Sequence, residues 1–107
     1  MPLKCHMDGR KMTIRIMGEV DHHHAKQLMR DIERKIELHC PSVLQLELAG
    51  VTFMDSSGIA VLLRSFRRMQ ETEGRMEVIG VPHQAGRVLK TAGLHKMIPM
   101  KFDGRSE

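Results

Sequence analysis

Asp55, Ser56, Ser57 and Gly58 stand in a row between an alternating apolar run (Leu44, Leu46, Leu48) and an amphipathic one from Ile59 to Met69. Such a segment reads as a strand, a tight turn and the first turn of a helix. A serine there has an exposed hydroxyl beside unpaired backbone N–H groups, which attract negative charge. The chemistry this suits is gain or loss of a phosphate. That group carries about −1.5 to −2 charges and three acceptor oxygens. Asp55 repels it, so a phosphate on Ser56 or Ser57 is held at the helix start and pushed outward. The plainer role is capping, in which Asp55 or Ser56 accepts a hydrogen bond from an early helical amide. The residues alone leave both roles open.

Catalysis fits the serines poorly. A nucleophile elbow needs glycine two residues before the serine, and Met54 holds that place before Ser56. None of the seven histidines is singled out by spacing as a base. No catalytic residue is assigned, and the chain is read as a non-enzyme. His22, His23 and His24 point about 100° apart on a helix and do not converge on one ion. Zinc-type His/Cys spacings are absent, so no metal site is expected. Gly80 and Gly86 lack the Lys-Ser/Thr of a phosphate loop, and G-x-G-x-x-G does not occur. No cofactor is expected, and any phosphoryl donor belongs to another protein. Asp21 follows the second strand and is expected on the same rim as Ser56.

The elements that position these groups follow from periodicity. Residues 3–7 read as a short edge strand, with a hairpin turn at Asp8-Gly9. Met12, Ile14 and Ile16 alternate with polar neighbours in a second strand that Gly18 and Glu19 end. Asp21 is the expected N-cap of a helix whose stripe is Ala25, Leu28, Met29, Ile32 and Ile36, stopped by Pro41. A strand over 43–48 precedes the Asp55 turn. Ile59, Leu62, Leu63, Phe66 and Met69 mark a second helix, opposite Arg64, Arg67, Arg68 and Glu71, and Glu73-Gly74 closes it. Met76 to Val81 is a strand. Ala85, Val88, Leu89 and Ala92 mark a third helix with Gly93 at its end. Ile98 to Phe102 is a terminal edge strand, demoted by Pro99. The alternation implies an α/β fold with a mixed, mostly parallel sheet and helices packed on it.

The chain of 107 residues fits one domain, taken as 1–107, with enough length for a core without staples. Three Phe, no Tyr and no Trp, beside ten Met, mean an aliphatic, Met-rich core. The net charge of +4 raises the case for an acidic partner or nucleic acid. Nucleic acid is discounted, because stacking platforms are lacking and the basic residues are dispersed. Cys5 and Cys40 lie far apart and read as reduced thiols. No apolar run approaches the ~20 residues of a membrane span, and the N-terminus lacks a signal-type apolar region. A cytoplasmic protein away from membranes is expected.

Three segments together resemble a family. Gly18-Glu19-Val20-Asp21-His22-His23, Phe53-Met54-Asp55-Ser56-Ser57-Gly58-Ile59 and Ala92-Gly93-Leu94 are similar to the STAS domain. More narrowly they resemble the anti-sigma factor antagonists, in their sporulation branch. The likeness runs from about residue 8 to residue 102. It implies a sheet of four or five strands with helices against it. It also implies partner switching. The unphosphorylated antagonist binds an anti-sigma factor that is a serine kinase, and the sigma factor is released. The kinase, holding its own ATP, phosphorylates the residue after the aspartate, here Ser56, and a serine phosphatase resets it. By the same resemblance Ser57 is a supporting hydroxyl and Asp21 an acid near the phosphosite, so partner contact is expected over Asp21, Asp55, Ser56, Ser57 and Gly58. The chain departs from the pattern in its Arg-rich second helix. The alternative is a STAS scaffold or small-ligand sensor that is not phosphorylated.

Overall fold

The computed structural model describes residues 3–103. Strand β1 (Leu3–Asp8) turns back through Gly9-Arg10 into β2 (Lys11–Val20), the two pairing antiparallel. Helix α1 (Ala25–His39) leads to β3 (Val43–Met54), α2 (Ser57–Glu71) to β4 (Arg75–Val81), and α3 (His83–Thr91) to the short edge strand β5 (Met100–Phe102). A single turn of 3-10 helix, Leu94–Lys96, precedes β5. The five strands lie side by side in chain order, and β2 through β5 are parallel. Parallel crossovers are right-handed. Three crossovers running in one direction therefore put all three helices on one face.

That face holds the core. Met12, Ile14 and Ile16 of β2, Leu44, Leu46 and Leu48 of β3, and Val78 of β4 are buried with Leu28, Ile32, Val61, Leu62, Met69 and Leu89 from the helices. Four methionines (Met12, Met54, Met69, Met76) supply bulk that aromatic rings usually provide. The opposite face is polar. Thr13 donates to Gln45 (3.1 Å), Gln45 donates to Glu77 (2.6 Å), and Arg15 bonds Glu47 (2.9 Å). Alternation of period two puts one set of residues on each side.

Arg64 and Arg68 of α2 face α1. Arg64 reaches Glu33 at 3.0 Å, and Arg68 reaches Glu37 at 3.4 Å and Glu71 at 3.3 Å. Such surface pairs are worth at most about 1 kcal/mol each. The pairs to Glu33 and Glu37 tie two helices together and make part of the Arg-rich face a feature of the fold.

Two boundaries differ from the sequence reading. β2 does not end at Gly18-Glu19, and β3 does not stop at residue 48. Both continue, pairing Met17 with Gly50 and Val20 with Met54 across two register shifts. Gly18 sits at φ +91°, a left-handed conformation that glycine adopts without a Cβ penalty. The shifts break the period of two, so the buried residues of β3 run Leu48, Val51, Met54 at spacings of three. Alternation is therefore invisible there. Asp21 is also not the cap residue itself. That place falls to His24, without a side-chain cap bond, and Asp21 closes the turn before it.

Candidate functional site

β2 and β3 end together, at Val20 opposite Met54. The next residues, Asp21 and Asp55, thus emerge side by side at the carboxyl edge of the parallel strands. Open α/β sheets place their sites on that edge. The backbone N–H of Asp55 donates to the carbonyl of Val20 at 3.2 Å. Asp55 Oδ2 accepts from the His22 N–H at 3.1 Å, which links the two loops.

Asp55 does the capping. Its Oδ1 accepts from the Ser57 N–H at 2.8 Å. Ser56 is exposed, adopts ordinary helical angles (φ −63°, ψ −16°) and makes no side-chain cap bond. The competition between Asp55 and Ser56 for the cap is thereby resolved, and the Ser56 hydroxyl is left over. Ser57 is half-buried, with both N–H and hydroxyl turned to Asp55. Gly58 is buried. A Cβ there would meet Met54 Cγ, Sδ and Cε at 2.5, 2.6 and 2.9 Å. Gly58 therefore serves the seating of α2 on β3.

Asp21 Oδ1 accepts from the N–H groups of His23 and His24, both at 3.1 Å, and lies 2.7 Å from His24 Nδ1. His22 and His23 meet edge to face with ring centroids 5.5 Å apart, whereas the His24 ring turns to Asp21. Glu19, Asp21 and His24 do bring one ligand-type atom each within 4.8 Å of one another. The spacing of the histidines did not single out that set, and the Asp21–His24 pair within it is already closed.

Both carboxyls lie below the ordinary carboxylate range. For Asp21, burial pushes the pKa up, and the hydrogen bonds and charge of His24, with the His23 N–H, outweigh it. For Asp55, the Ser57 N–H lowers it most. Burial opposes, the Ser57 hydroxyl and His22 N–H lower it further, and the charge of Asp21 raises it. Their ionised forms thus stabilise the fold above the unfolded carboxyl pKa of about 3.9, and that stability fades as pH falls through the lower folded values. Asp21→Asn and Asp55→Asn are each expected to lower the thermal midpoint at pH 7 and to flatten its fall below about pH 4. Thermal melts across pH check this. Acid slopes identical to the parent would refute it.

Two residues here escaped sequence reading. Gln84, on α3, accepts from the Met54 N–H and donates to the Met54 carbonyl, both at 2.8 Å. Its side-chain amide thereby extends β3 by a pseudo-strand and anchors α3 beside the turn. Arg87, one turn on, lines a groove of about 530 Å³ with Ser56, Ile59, Gln84, Val88, Thr91 and Ala92. A polar residue on a helix carries no periodic signal, so neither stood out.

The STAS domain model matches residues 4–104, and the chain belongs to the STAS domain family. Several relatives that it resembles in sequence are named as antagonists of anti-sigma factors. The anti-sigma F factor antagonist of Paenibacillus polymyxa is 30% identical over 89 residues, 83% of this chain and 76% of that one. The unphosphorylated form of the anti-sigma factor antagonist SpoIIAA superposes with a TM-score of 0.79 at 25% identity, over 92% of this chain and 87% of that one. The phosphorylated form of the Bacillus SpoIIAA gives 0.71 at 25% identity, over 92% and 90%. The fold expected from the sequence, a mixed, mostly parallel sheet of four or five strands with helices packed on it, is the one found, with five strands and three α-helices among the described residues. No helix among the described residues is long and apolar enough to cross a membrane.

Proposed function

We propose that this protein is an anti-sigma factor antagonist that works as a phosphorylation-switched binding module. Its unphosphorylated form binds an anti-sigma factor that is also a serine kinase, and the sigma factor is set free. The kinase transfers the γ-phosphoryl group of its own ATP to Ser56 Oγ. The hydroxyl proton is lost, ADP leaves, and the complex dissociates. A serine phosphatase hydrolyses the ester and restores the binding form. The chain needs no nucleotide, metal or catalytic residue of its own.

One observation carries this reading. Asp55 takes over the cap, so the exposed Ser56 hydroxyl has no structural duty. It sits at the N-terminus of a helix of 15 residues, where N–H groups and helix dipole accommodate an anion. Asp21, Asp55 and Ser57 hold the turn around it. The names of the sequence relatives and the likeness to both forms of SpoIIAA support the same assignment.

The test is incubation of purified protein with ATP and its cognate kinase, read by intact mass and peptide mapping. One phosphate is expected, on Ser56. Ser56→Ala abolishes it and Ser57→Ala retains it. Loss in Ser57→Ala alone moves the site by one residue. Binding of the kinase without any phosphate favours the scaffold or small-ligand sensor instead.

A further inference from the structure

The groove beside Ser56 has one charged wall. Ile59, Val88 and Ala92 make much of its lining apolar, and Arg87 is the single charged residue around it. Arg87 is exposed, and no ion pair or hydrogen bond of its guanidinium is found among the described residues. Several other arginines are engaged, with Arg15 on Glu47, Arg34 on Asp31, Arg64 on Glu33 and Arg68 on Glu37. Arg87 thus lines the groove that Ser56 also lines, and also a smaller pocket with His83, Lys90 and Asp103. Its placement is firm, because Gln84, three residues earlier on α3, is bonded twice to Met54, two residues before Ser56.

We infer that Arg87 is the receptor for a phosphate on Ser56, so that the phosphorylated turn closes onto α3. This rests on the reading of Ser56 as the modified residue. A guanidinium matches phosphate oxygens through paired N–H donors, and the charge-assisted bonds are about twice as strong as neutral ones. The carboxylates near the turn are Asp55 within it and Asp21 on the neighbouring loop, which also carries His22 and His24, while His83, Lys90 and Asp103 stand around Arg87. The two carboxylates near the turn repel the phosphate from the ends of β2 and β3. Arg87 attracts it from the α3 side. Both push it across the mouth of the groove, over Ile59 and Val88. Phosphorylation therefore does more than add repulsion: it covers the apolar surface that the free form offers.

The experiment places phosphoserine at position 56 by genetic-code expansion, so it does not depend on any kinase, and titrates the phosphate by ³¹P NMR. In the parent, its second ionisation is expected to lie below that of Arg87→Gln by roughly half a pH unit, a fraction of the 1–3 units seen for closely buried opposite charges. Arg87→Lys restores part of the shift. Arg67→Gln, the same charge change on the exposed part of α2, leaves the parental value. Equal values for the parent and Arg87→Gln overturn the inference, as does an Arg67→Gln shift of the same size. Either result leaves kinase transfer to Ser56, tested separately above, untouched.

Discussion

On the proposed function, Ser56→Asp is expected to weaken binding of the anti-sigma factor partner by about 5–150-fold, the range of a coupling of about 1–3 kcal/mol. Its thermal midpoint stays near that of the parent. Both halves come from the same geometry. The serine side chain makes no cap bond, its backbone is in a conformation open to any residue, and it faces solvent. Exposed replacements without structural contacts change stability by about 0.5 kcal/mol or less. The affinity loss arises because a second carboxylate beside Asp55 must be desolvated against the partner. Calorimetric titration and a thermal melt on the same sample decide it. A collapsed midpoint would make Ser56 a structural residue, and unchanged affinity would remove the turn from the docking surface.

Gly58→Ala is expected to destabilise the fold by about 1–3 kcal/mol, the usual cost of overpacking. At this size each lost kcal/mol lowers the midpoint by roughly 4–8 °C. Helix propensity alone argues the other way, favouring alanine by about 1 kcal/mol. Packing wins here because the new methyl group falls within 2.5–2.9 Å of three Met54 atoms. Met54 is only 1% exposed, and its backbone is held at both polar groups by Gln84. It has little room to retreat. The check is a double-mutant cycle. Met54→Ala alone costs about 2–5 kcal/mol through its cavity. In that background, adding Gly58→Ala is expected to cost nothing further. Additive losses would show that the clash lies elsewhere.

The alternating strands and striped helices were legible because each buries one face only. Met12-Ile14-Ile16, Leu44-Leu46-Leu48 and the α2 stripe carry the period of their element in plain view. The far halves of β2 and β3 were not legible. Two bulges there shift the phase, and a pattern with changing period looks like none. Capping was ambiguous for a different reason. Asp55 and Ser56 are both good cap residues, and propensity cannot say which side chain reaches the amide.

The order of elements, the aliphatic core and the serine-bearing turn are local properties, so residue types and spacing alone determined them. Which groups meet across the chain is a matter of three-dimensional closure. The joining of the Asp21 and Asp55 loops needs β2 and β3 to end in register, a result of two bulges and the left-handed Gly18. The burial of Gly58 needs α2 lowered onto Met54. The sharing of one groove by Ser56 and Arg87 needs α3 pinned by Gln84 to the end of a strand 30 positions earlier. Contacts at such separations have no sequence period, because they are set by sheet register and helix seating.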